Sequence, residues 1–337
     1  MSNPPSQALA KPLPIAVFAL VSLAPLAGIG LAGLWGGAWA WGALAWMGLA
    51  AVAIDLCLPW VAQDADSEFP GSDLLLAVIG TLALAMMPLL VWAVLRLGGL
   101  QGLALALAGG LWLGQVGHPA AHELIHRPGR GLRALGGAVY AVLLFGHHAS
   151  AHRLVHHRHV ASDQDPNSAR QGEGYYRFAL RAWPGSIRAG LAAERALRGH
   201  GGAYRLYALG ALAGLGCGWA LGGMAGLLVW AGLGLHFGAQ VLLSDYVQHY
   251  GLRRGPSERV GLSHSWNAPQ WFSSALMLNA PRHSDHHAHP ARPYPALRLE
   301  EGAPLLPWPL PLACLVALYP PLWRRRMARE LAALTKL

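Results

Sequence analysis

"LLLAVIGTLALAMMPLLVWAVL", residues 74–95, is an apolar stretch of 22 residues that contains no charged side chain. A helix rises about 1.5 Å per residue, so this stretch can cross the roughly 30 Å hydrocarbon layer of a bilayer. Glycine-rich turns join comparable apolar runs into pairs, at "LWGG" (34–37), "RLGGLQG" (96–102) and "ALGGM" (220–224). The sequence therefore predicts an all-α, polytopic membrane protein that forms a single domain over residues 1–337. Its six predicted spans are about 13–35, 38–61, 73–96, 99–117, 205–221 and 223–244.

The distribution of charge predicts the orientation of these spans. Of the 25 lysines and arginines, only Lys11 and Arg96 precede residue 127. Because positive loops remain on the cytoplasmic side, we expect 118–204 and 245–300 to face the cytoplasm. The same rule explains the formal charge of +9 without a nucleic-acid partner. The acidic stretch "QDADSEFPGSD" (63–73) falls on the same side by span parity, and acidic residues contribute little to the rule.

Histidines are concentrated in the second part of the chain, and none of the 17 precedes residue 118. Most stand at the predicted cytoplasmic ends of spans, in three histidine boxes: "HELIH" (box one, 122–126), "HRLVHH" (box two, 152–157) and "HSDHH" (box three, 283–287). One more lies in "SDYVQHYGL" (244–252). Spacings of three and four residues place imidazoles on one helix face, where they can converge on a metal. Adjacent histidines point about 100° apart on a helix, which suits two neighbouring ions rather than one. The nine candidate ligands are His122, His126, His152, His156, His157, His249, His283, His286 and His287.

The segment 132–146 separates the first two histidine boxes and provides a test of this topology. Its apolar part is about 13 residues long, which is too short to span a bilayer. We therefore expect a re-entrant or interface-lying segment, so that both boxes remain on one side of the membrane.

Nitrogen-only ligation suits zinc, copper, iron or nickel, and nine ligands exceed what one tetrahedral zinc can use. Two ions with four or five imidazoles each would use them all, and iron is the most economical choice because such a centre can activate oxygen. "HELIH" alone also matches the HExxH pattern of zinc metalloproteases, with Glu123 as general base. Carboxylates beside the boxes, which we expect to orient the ligands, are Glu123, Asp165, Asp245 and Asp285.

From 118 to 330 the chain resembles the integral-membrane alkane 1-monooxygenases, which are related to the xylene monooxygenases and to membrane fatty-acid desaturases. The resemblance rests on "HELIH", "HHRHVASDQDPNSARQGEGYY" (156–176), "DYVQHYGL" (245–252), "HSWN" (264–267), "RHSDHHAHPARPYPALR" (282–298) and "PPLWRRRM" (320–327). The chain departs from the family pattern at Ala151, Val155, Asp245, Gln248 and Pro281, none of which is a candidate ligand.

The resemblance implies a non-haem site of two iron ions bound by the nine histidines, with O2 as co-substrate. It implies hydroxylation of a terminal C–H bond in an alkane or similar hydrocarbon that reaches the site through the bilayer. A fatty-acid desaturase or an alkyl-aromatic, xylene-type hydroxylase is the alternative. The three scattered cysteines form no cluster, so electrons must come from another protein. The resemblance implies rubredoxin and its NAD(P)H-dependent reductase as partners, and a bacterial-type inner membrane with the site facing the cytoplasm.

The other histidines are given structural interpretations. We expect His118 and His147 to flank the ligands, and His236 to be a buried core residue. His264 either supports the site or belongs to it. Of the four remaining histidines, we expect His148, His159 and His289 to lie on the polar cytoplasmic surface and His200 to lie in a loop.

Overall fold

The computed structural model describes residues 13–65, 69–255 and 257–334, so Lys11 and part of the acidic stretch lie outside the described residues. Within those ranges the regular structure is helical, and extended segments pair only as the isolated bridges Val61–Gln270 and Asn267–Leu305. The all-α prediction is confirmed. The long helices are Ile15–Trp35, Ser72–Leu97, Arg130–Val142, Tyr175–Arg198, Gly202–His249 and Pro320–Leu334. Two further rods contain a π turn: Ala38–Ala45, Trp46–Ala50 and Ala51–Cys57; then Gly99–Trp112, Leu113–Gly117 and His118–His126. The short helices are His148–Ala151, His152–His156 (π), His157–His159, Leu262–His264 (3-10), Trp271–Leu276, His283–Ala288, Tyr294–Ala296 (3-10) and Leu310–Ala317.

Five helices of the described chain are long and apolar enough to cross a membrane: Ile15–Trp35, Ala38–Cys57, Ser72–Leu97, Gly99–His126 and Gly202–His249. The fifth has 48 residues and is interrupted by non-helical backbone at Gly222 and Gly223. Gly223 has a φ of 57°, which glycine adopts without the steric penalty of a side chain. The chain is thus a multi-pass membrane protein, while the count of six crossings remains a prediction.

The interrupted helix is a hairpin. A Cβ placed on Gly214 would lie 2.7 Å from the indole nitrogen of Trp230, and one on Gly218 would lie 2.8 Å from the carbonyl oxygen of Gly226. Contacts at equal distances on either side of the break occur only when the two arms run antiparallel. The apolar runs predicted at 205–221 and 223–244 are therefore the two arms of this hairpin.

The glycine turns lie together at one end of the molecule. The amide of Gly37 donates to the side-chain oxygen of Gln101 over 2.9 Å, and Arg96 donates to the carbonyl of Leu34 over 2.6 Å. A Cβ on Gly222 would lie 2.3 Å from Leu95, so the third turn is adjacent to the second. The helices Gly99–His126 and Gly202–His249 consequently bring their final histidines, His126 and His249, to the opposite end.

The segment between the first two boxes forms the helix Arg130–Val142. Its 13 residues correspond to roughly 20 Å of helix. Gly136 packs directly on helix His118–His126, because a Cβ there would lie 2.8 Å from the carbonyl oxygen of Ala121. The chain then turns through Leu144, which has a φ of 61°, and returns toward the same end of the molecule. The two boxes therefore come together, although the membrane depth of this segment remains a prediction.

Asp55, near the end of helix Ala51–Cys57, fixes a short helix from the other half of the chain. Its carboxylate accepts hydrogen bonds of 3.1 Å from the backbone amides of both Phe272 and Ser273. These amides lie in the first turn of helix Trp271–Leu276, where no intrahelical acceptor is available. A buried carboxylate thus caps this helix across more than 200 residues of sequence.

Candidate metal centre

Nine imidazoles converge in two groups, and within each group the ligand atoms all lie within 4.8 Å of one another. Four histidines make up the smaller group and all are buried, whereas the larger group contains two half-buried members. These are the same nine residues that the sequence predicts. The first group is His122, His126, His152, His157 and His286; the second group is His156, His249, His283 and His287.

The Nε2 atoms face the centre of each group. In the first group, Nε2 of His152 lies 2.7 Å from Nε2 of His122. In the second group, Nε2 of His283 lies 3.0 Å from that of His249 and 3.1 Å from that of His287. Ring nitrogens directed at one another from separate segments form the arrangement that a metal ion requires of imidazole ligands.

Adjacent histidines in the sequence belong to different groups. His156 and His287 lie in the second group, while their neighbours His157 and His286 lie in the first. This division follows the rotation of about 100° between successive helical residues. Each adjacent pair therefore connects the two groups.

A π turn sets the register within the second box. Residues His152–His156 form this turn, in which hydrogen bonds connect residues five apart. His152 and His157 consequently meet, with their Nε2 atoms 2.9 Å apart. Sequence spacing alone favours positions three and four apart, so the pairing of these two histidines was not predictable from the periodicity.

Asp165 contacts the second group through Nδ1 of His156, the ring nitrogen that does not face the centre of the group. Its Oδ2 lies 2.8 Å from Nδ1 of His156 and accepts from the hydroxyl of Ser168 over 2.7 Å, while its Oδ1 accepts from the amide of Asn167 over 3.0 Å. Burial alone would raise the pKa of Asp165, but its interaction with His156 and the hydrogen bonds from Ser168 and Asn167 hold that pKa below its usual value. The Asn167 side chain also donates to Asp245 over 2.7 Å, so Asp245 reaches the site through Asn167. Asn167 belongs to the motif "HHRHVASDQDPNSARQGEGYY" (156–176), whose resemblance to the family was the only sequence signal for it.

The "HSWN" motif supports His249 through its backbone. Nδ1 of His249 lies 3.2 Å from the carbonyl oxygen of His264. The His264 ring is itself buried and lies 3.1 Å from the carboxylate of Glu258. Of the two interpretations left open by the sequence, the structure places His264 outside both groups, in a supporting position.

Glu123 of the first box is fixed by ion pairing and by the chain after box three. Its Oε2 accepts from Arg127 over 2.7 Å and from the amide of Tyr294 over 3.2 Å, and its Oε1 lies 3.9 Å from Nδ1 of His286. That last distance is longer than a hydrogen bond. Arg127 also pairs with Asp73 over 3.1 Å, so the first box is joined to the end of the acidic stretch.

Asp285 differs from the expectation that it orients a ligand. It accepts from Arg292 over 2.7 Å and from the amide of Arg298 over 2.8 Å, and it lies 2.9 Å from Nδ1 of His289. None of these groups is a candidate ligand, so Asp285 holds the loop after box three. Because the carboxylate is fully buried, a cation supplied by the same loop neutralises it.

Arg282, directly before box three, pairs with a residue of the acidic stretch (63–73). Its guanidinium is buried, forms an ion pair with Asp64 and donates to the carbonyl of Leu297 over 2.8 Å. A buried arginine needs such a partner because an unpaired charge is costly away from water. The acidic stretch therefore supplies the counter-charges for Arg282 and, through Asp73, for Arg127.

The donor set fits metal ions that prefer imidazole. Burial, followed by the charges of neighbouring imidazoles, holds the pKa values of His152, His283 and His286 well below the usual value. These rings are therefore neutral and keep a lone pair for a metal. Among the described residues, the buried Nε2 atoms of His126 and His156 have no hydrogen-bond partner, although each belongs to one of the groups. Two clusters of nitrogen donors with unpartnered ring atoms are consistent with iron, zinc or copper.

Histidines beside the two groups show one clear difference from expectation. His148 is buried rather than exposed, and its ring stacks on His152 with centroids 4.9 Å apart. His118 contacts the hydroxyl of Tyr140 over 2.9 Å, and His147 contacts the hydroxyl of Ser186 over 3.1 Å.

Of the remaining histidines, three lie where the sequence predicts and one does not. His200 and His289 are exposed and His159 is half-buried, as surface positions require. His236 is half-buried rather than part of the core, and it lines an internal cavity.

That cavity has a volume of about 300 Å³ and reaches the histidine groups. His122 and His152 of the first group and His283 of the second form part of its wall. Much of the remaining wall is apolar, with Leu111, Leu243, Met277, Leu310 and Leu315 among its side chains. A small apolar molecule in this space would therefore lie against both groups of imidazoles.

Comparison with known proteins relates this architecture to one family. Residues 95–301 match the family described as fatty acid desaturase. The chain is 35% identical to alkane 1-monooxygenase 1 of Pseudomonas aeruginosa, over 70% of this chain and 65% of that protein. It is 35% identical to alkane 1-monooxygenase of Ectopseudomonas oleovorans, over 68% of this chain and 59% of the relative. The hydroxylase component of the xylene/toluene monooxygenase of Pseudomonas putida is 28% identical over 63% of this chain. The matched region thus spans about 59 to 65% of the length of these relatives.

Proposed function

Because the chain belongs to the fatty acid desaturase family, among the integral-membrane alkane 1-monooxygenases, we propose that it is a di-iron monooxygenase of the membrane. Its reaction is the hydroxylation of a terminal C–H bond in an alkane or a similar hydrophobic hydrocarbon. The observation that carries this proposal is the convergence of nine histidines in groups of five and four beside an apolar cavity.

The two groups would each hold one iron ion through Nε2 atoms. Two bound irons would supply the reductive activation of O2 that inserts one oxygen atom into an unactivated C–H bond. Asp165 orients His156 and stabilises its ring, while Asn167 links that carboxylate to Asp245. Glu123 holds the chain after box three close to His286. Asp285 acts at longer range, by holding the loop that follows His287.

The cavity supports a hydrophobic substrate. Its volume of about 300 Å³ is at the lower end of the range for small-molecule sites. A hydrocarbon partitions into the bilayer, so a site between membrane helices receives it directly from the lipid. The cavity wall would position the substrate against His122, His152 and His283 and exclude water from them.

The reaction needs two electrons and two protons from outside, since RH, O2, two electrons and two protons give ROH and H2O. The chain has no cysteine cluster that could hold an electron-transfer centre. We therefore assign the supply of electrons to rubredoxin and an NAD(P)H-dependent rubredoxin reductase. Exposed arginines such as Arg158 and Arg253 lie beside the second box and would attract an acidic carrier.

The proposed location is a bacterial-type inner membrane with the histidine groups on the cytoplasmic side. Single cysteines near 130 and 160, at the exposed positions Arg130 and Asp163, in a background without Cys57, Cys217 and Cys314, test this orientation. Both should resist a membrane-impermeant thiol reagent in intact cells and react after lysis. Reaction of either one in intact cells would contradict the orientation.

An alkyl-aromatic substrate is the second candidate, and the similarity to the xylene/toluene monooxygenase component favours it. The fatty acid desaturase match keeps acyl substrates in the comparison. The HExxH interpretation as a zinc protease has less support, because Glu123 is engaged by Arg127 and Tyr294 rather than free to activate water.

The decisive experiment combines metal and product analysis of the purified chain. We expect close to two irons per chain and a primary alcohol from a panel of alkanes, alkylbenzenes and acyl substrates supplied with rubredoxin and its reductase. His286→Ala should lose product and iron, whereas His200→Ala, at an exposed loop position, should lose neither. A single zinc without iron would overturn the oxygenase assignment, and products from acyl substrates alone would redirect it to the desaturases.

A further inference from the structure

A second cavity lies on the outside of the helices, away from the proposed substrate space. It is a cleft of about 430 Å³ between helix Arg130–Val142, helix Tyr175–Arg198 and the start of helix Gly202–His249. The cleft shares no lining residue with the cavity beside the histidine groups. The cleft is therefore separate from the space proposed for the substrate.

One end of the cleft is positively charged. Arg133, Arg153 and Arg198 line it, and the charges of the other two act on the Arg153 guanidinium. Arg198 lies 3.2 Å from the carboxylate of Glu194, which is buried and accepts from Ser150 over 2.6 Å. In the described parts of the chain, Arg153 forms no ion pair within 4.0 Å. Three positive charges against one negative leave a net charge of +2, a setting that attracts an anion.

The other end of the cleft is apolar and continues into the surface of a membrane helix. Gly137 and Ala138 line it from helix Arg130–Val142 and Leu206 lines it from helix Gly202–His249, and the cleft ends where these helices meet, since a Cβ on Gly210 would lie 2.7 Å from Cβ of Ala141. Leu206 is 68% exposed, and Leu209 and Leu212 on the same helix are 62% and 65% exposed. Exposed leucines along an apolar, membrane-crossing helix face lipid chains. The apolar end of the cleft therefore opens toward the hydrocarbon layer.

We propose that this cleft binds an anionic phospholipid, with its phosphate at the three arginines and one acyl chain along the apolar walls. The charge and the apolar walls lie in one cleft, which matches the amphiphilic structure of such a lipid. Basic pockets between membrane helices on the cytoplasmic side are suited to anionic head groups. A soluble anion would satisfy the arginines alone and leave the apolar walls without an occupant.

The position of the cleft gives the lipid a structural role. Arg153 directly follows His152 of the first group, and Ile125, which also lines the cleft, directly precedes His126. A phosphate bound at Arg153 would therefore tie the second box to helix Arg130–Val142 through Arg133. Bound lipid should stabilise the folded chain without contacting the histidine groups.

The test measures binding of fluorescent phosphatidylglycerol to the intact, metal-loaded chain in a neutral detergent. Phosphatidylcholine and soluble glycerol phosphate serve as the comparison ligands. We expect phosphatidylglycerol to bind more tightly than either, and Arg153→Gln to weaken it about fivefold, as the loss of one lipid-facing arginine predicts. Arg158→Gln is the matched control, because it removes the same charge five residues away and does not line the cleft.

A second pair of variants tests the acyl-chain wall. A Cβ at Gly137 would meet no atom within 4 Å, so the side chain of Gly137→Leu can extend into the cleft that this residue lines. Gly131→Leu, on the same helix and equally unobstructed but outside the cleft, is its control. Gly137→Leu should weaken phosphatidylglycerol and leave glycerol phosphate unchanged.

Equal binding of phosphatidylglycerol and phosphatidylcholine would overturn the proposal, as would equal losses in Arg153→Gln and Arg158→Gln. Binding of glycerol phosphate as tight as that of phosphatidylglycerol would reduce the cleft to an anion site and also overturn it. These results require no turnover, so they are independent of the proposed hydroxylase function.

Discussion

Asp165→Asn should weaken metal binding at the second histidine group and not at the first, because Asp165 contacts a histidine of the second group. The side chain is buried and its neighbours are fixed, so asparagine occupies the same space without the negative charge. The amide nitrogen cannot accept a hydrogen bond, and the side chain can no longer serve His156, Ser168 and the amide of Asn167 together. The first group has no contact with Asp165 and should remain intact.

The expected magnitude follows from the bond between Asp165 and His156. A hydrogen bond to a charged group contributes about 1.5–3 kcal/mol, which corresponds to about 10- to 100-fold in affinity. Loss of a carboxylate that orients a ligating histidine has an effect of about the same size on metal affinity. We therefore expect metal at the second group to weaken 10- to 100-fold, while the first group changes little.

Chelator competition followed by iron analysis measures this difference. At a chelator concentration at which the unaltered chain keeps both irons, Asp165→Asn should keep close to one. Asp163→Asn is the control, because Asp163 lies two residues away, is 78% exposed and pairs with Arg253 at the surface. Retention of both irons by Asp165→Asn, or equal loss from both groups, would refute the division into two sites.

Four other predictions follow from particular contacts. His287→Ala should weaken the second group, which keeps three imidazoles, more than His286→Ala weakens the first, which keeps four; equal loss of iron would contradict the assignment of adjacent histidines to different groups. Iron retention and thermal stability should fall as the pH drops below about 6.5, because burial holds the pKa values of His152, His283 and His286 well below that value in the folded chain, so the unfolded chain binds more protons there; a flat profile between pH 8 and 5 would contradict this. Asp55→Ala should lower the free energy of unfolding by about 2 kcal/mol, since two buried amides lose their acceptor; an unchanged midpoint in thermal unfolding would refute the capping role. NADH alone should give no product, whereas rubredoxin and its reductase should, at a rate that declines with salt; turnover by the isolated chain with NADH would contradict the external supply of electrons.

The sequence was sufficient to predict the all-α class, the glycine turns and the nine histidines that converge, because each depends on local composition or spacing. Hydropathy predicts a helix wherever an apolar run is long enough, and "ALGGM" marks the break that the structure places at Gly222 and Gly223. The assignment of each histidine to one of the two groups was harder to predict from the sequence. It depends on the π turn at His152–His156, which shifts the register from four residues to five.

Buried polar partners were the least predictable part of the site. Asp285 and Asp165 both lie beside a histidine box, yet Asp165 contacts a candidate ligand and Asp285 contacts Arg292. Their difference depends on which loop folds over each carboxylate, and sequence adjacency contains no information about that. His148 illustrates the same limit, because a polar residue beside polar neighbours was expected at the surface and instead stacks on His152.

The region before residue 95 carries no histidine box and lies outside the family match, which begins at residue 95. Carboxylates from this region nevertheless hold the metal-binding half of the chain together. Asp55 caps helix Trp271–Leu276, Asp64 pairs with Arg282 before box three, and Asp73 pairs with Arg127 after box one. Each contact satisfies a group that is expensive to bury alone, either a helix amide or a guanidinium. Because Arg127 and Arg282 are adjacent to the first and third boxes, losing their partners would displace backbone that carries ligands. The region before residue 95 therefore contributes to the centre through three carboxylates, of which one caps a helix and two pair with arginines beside the boxes.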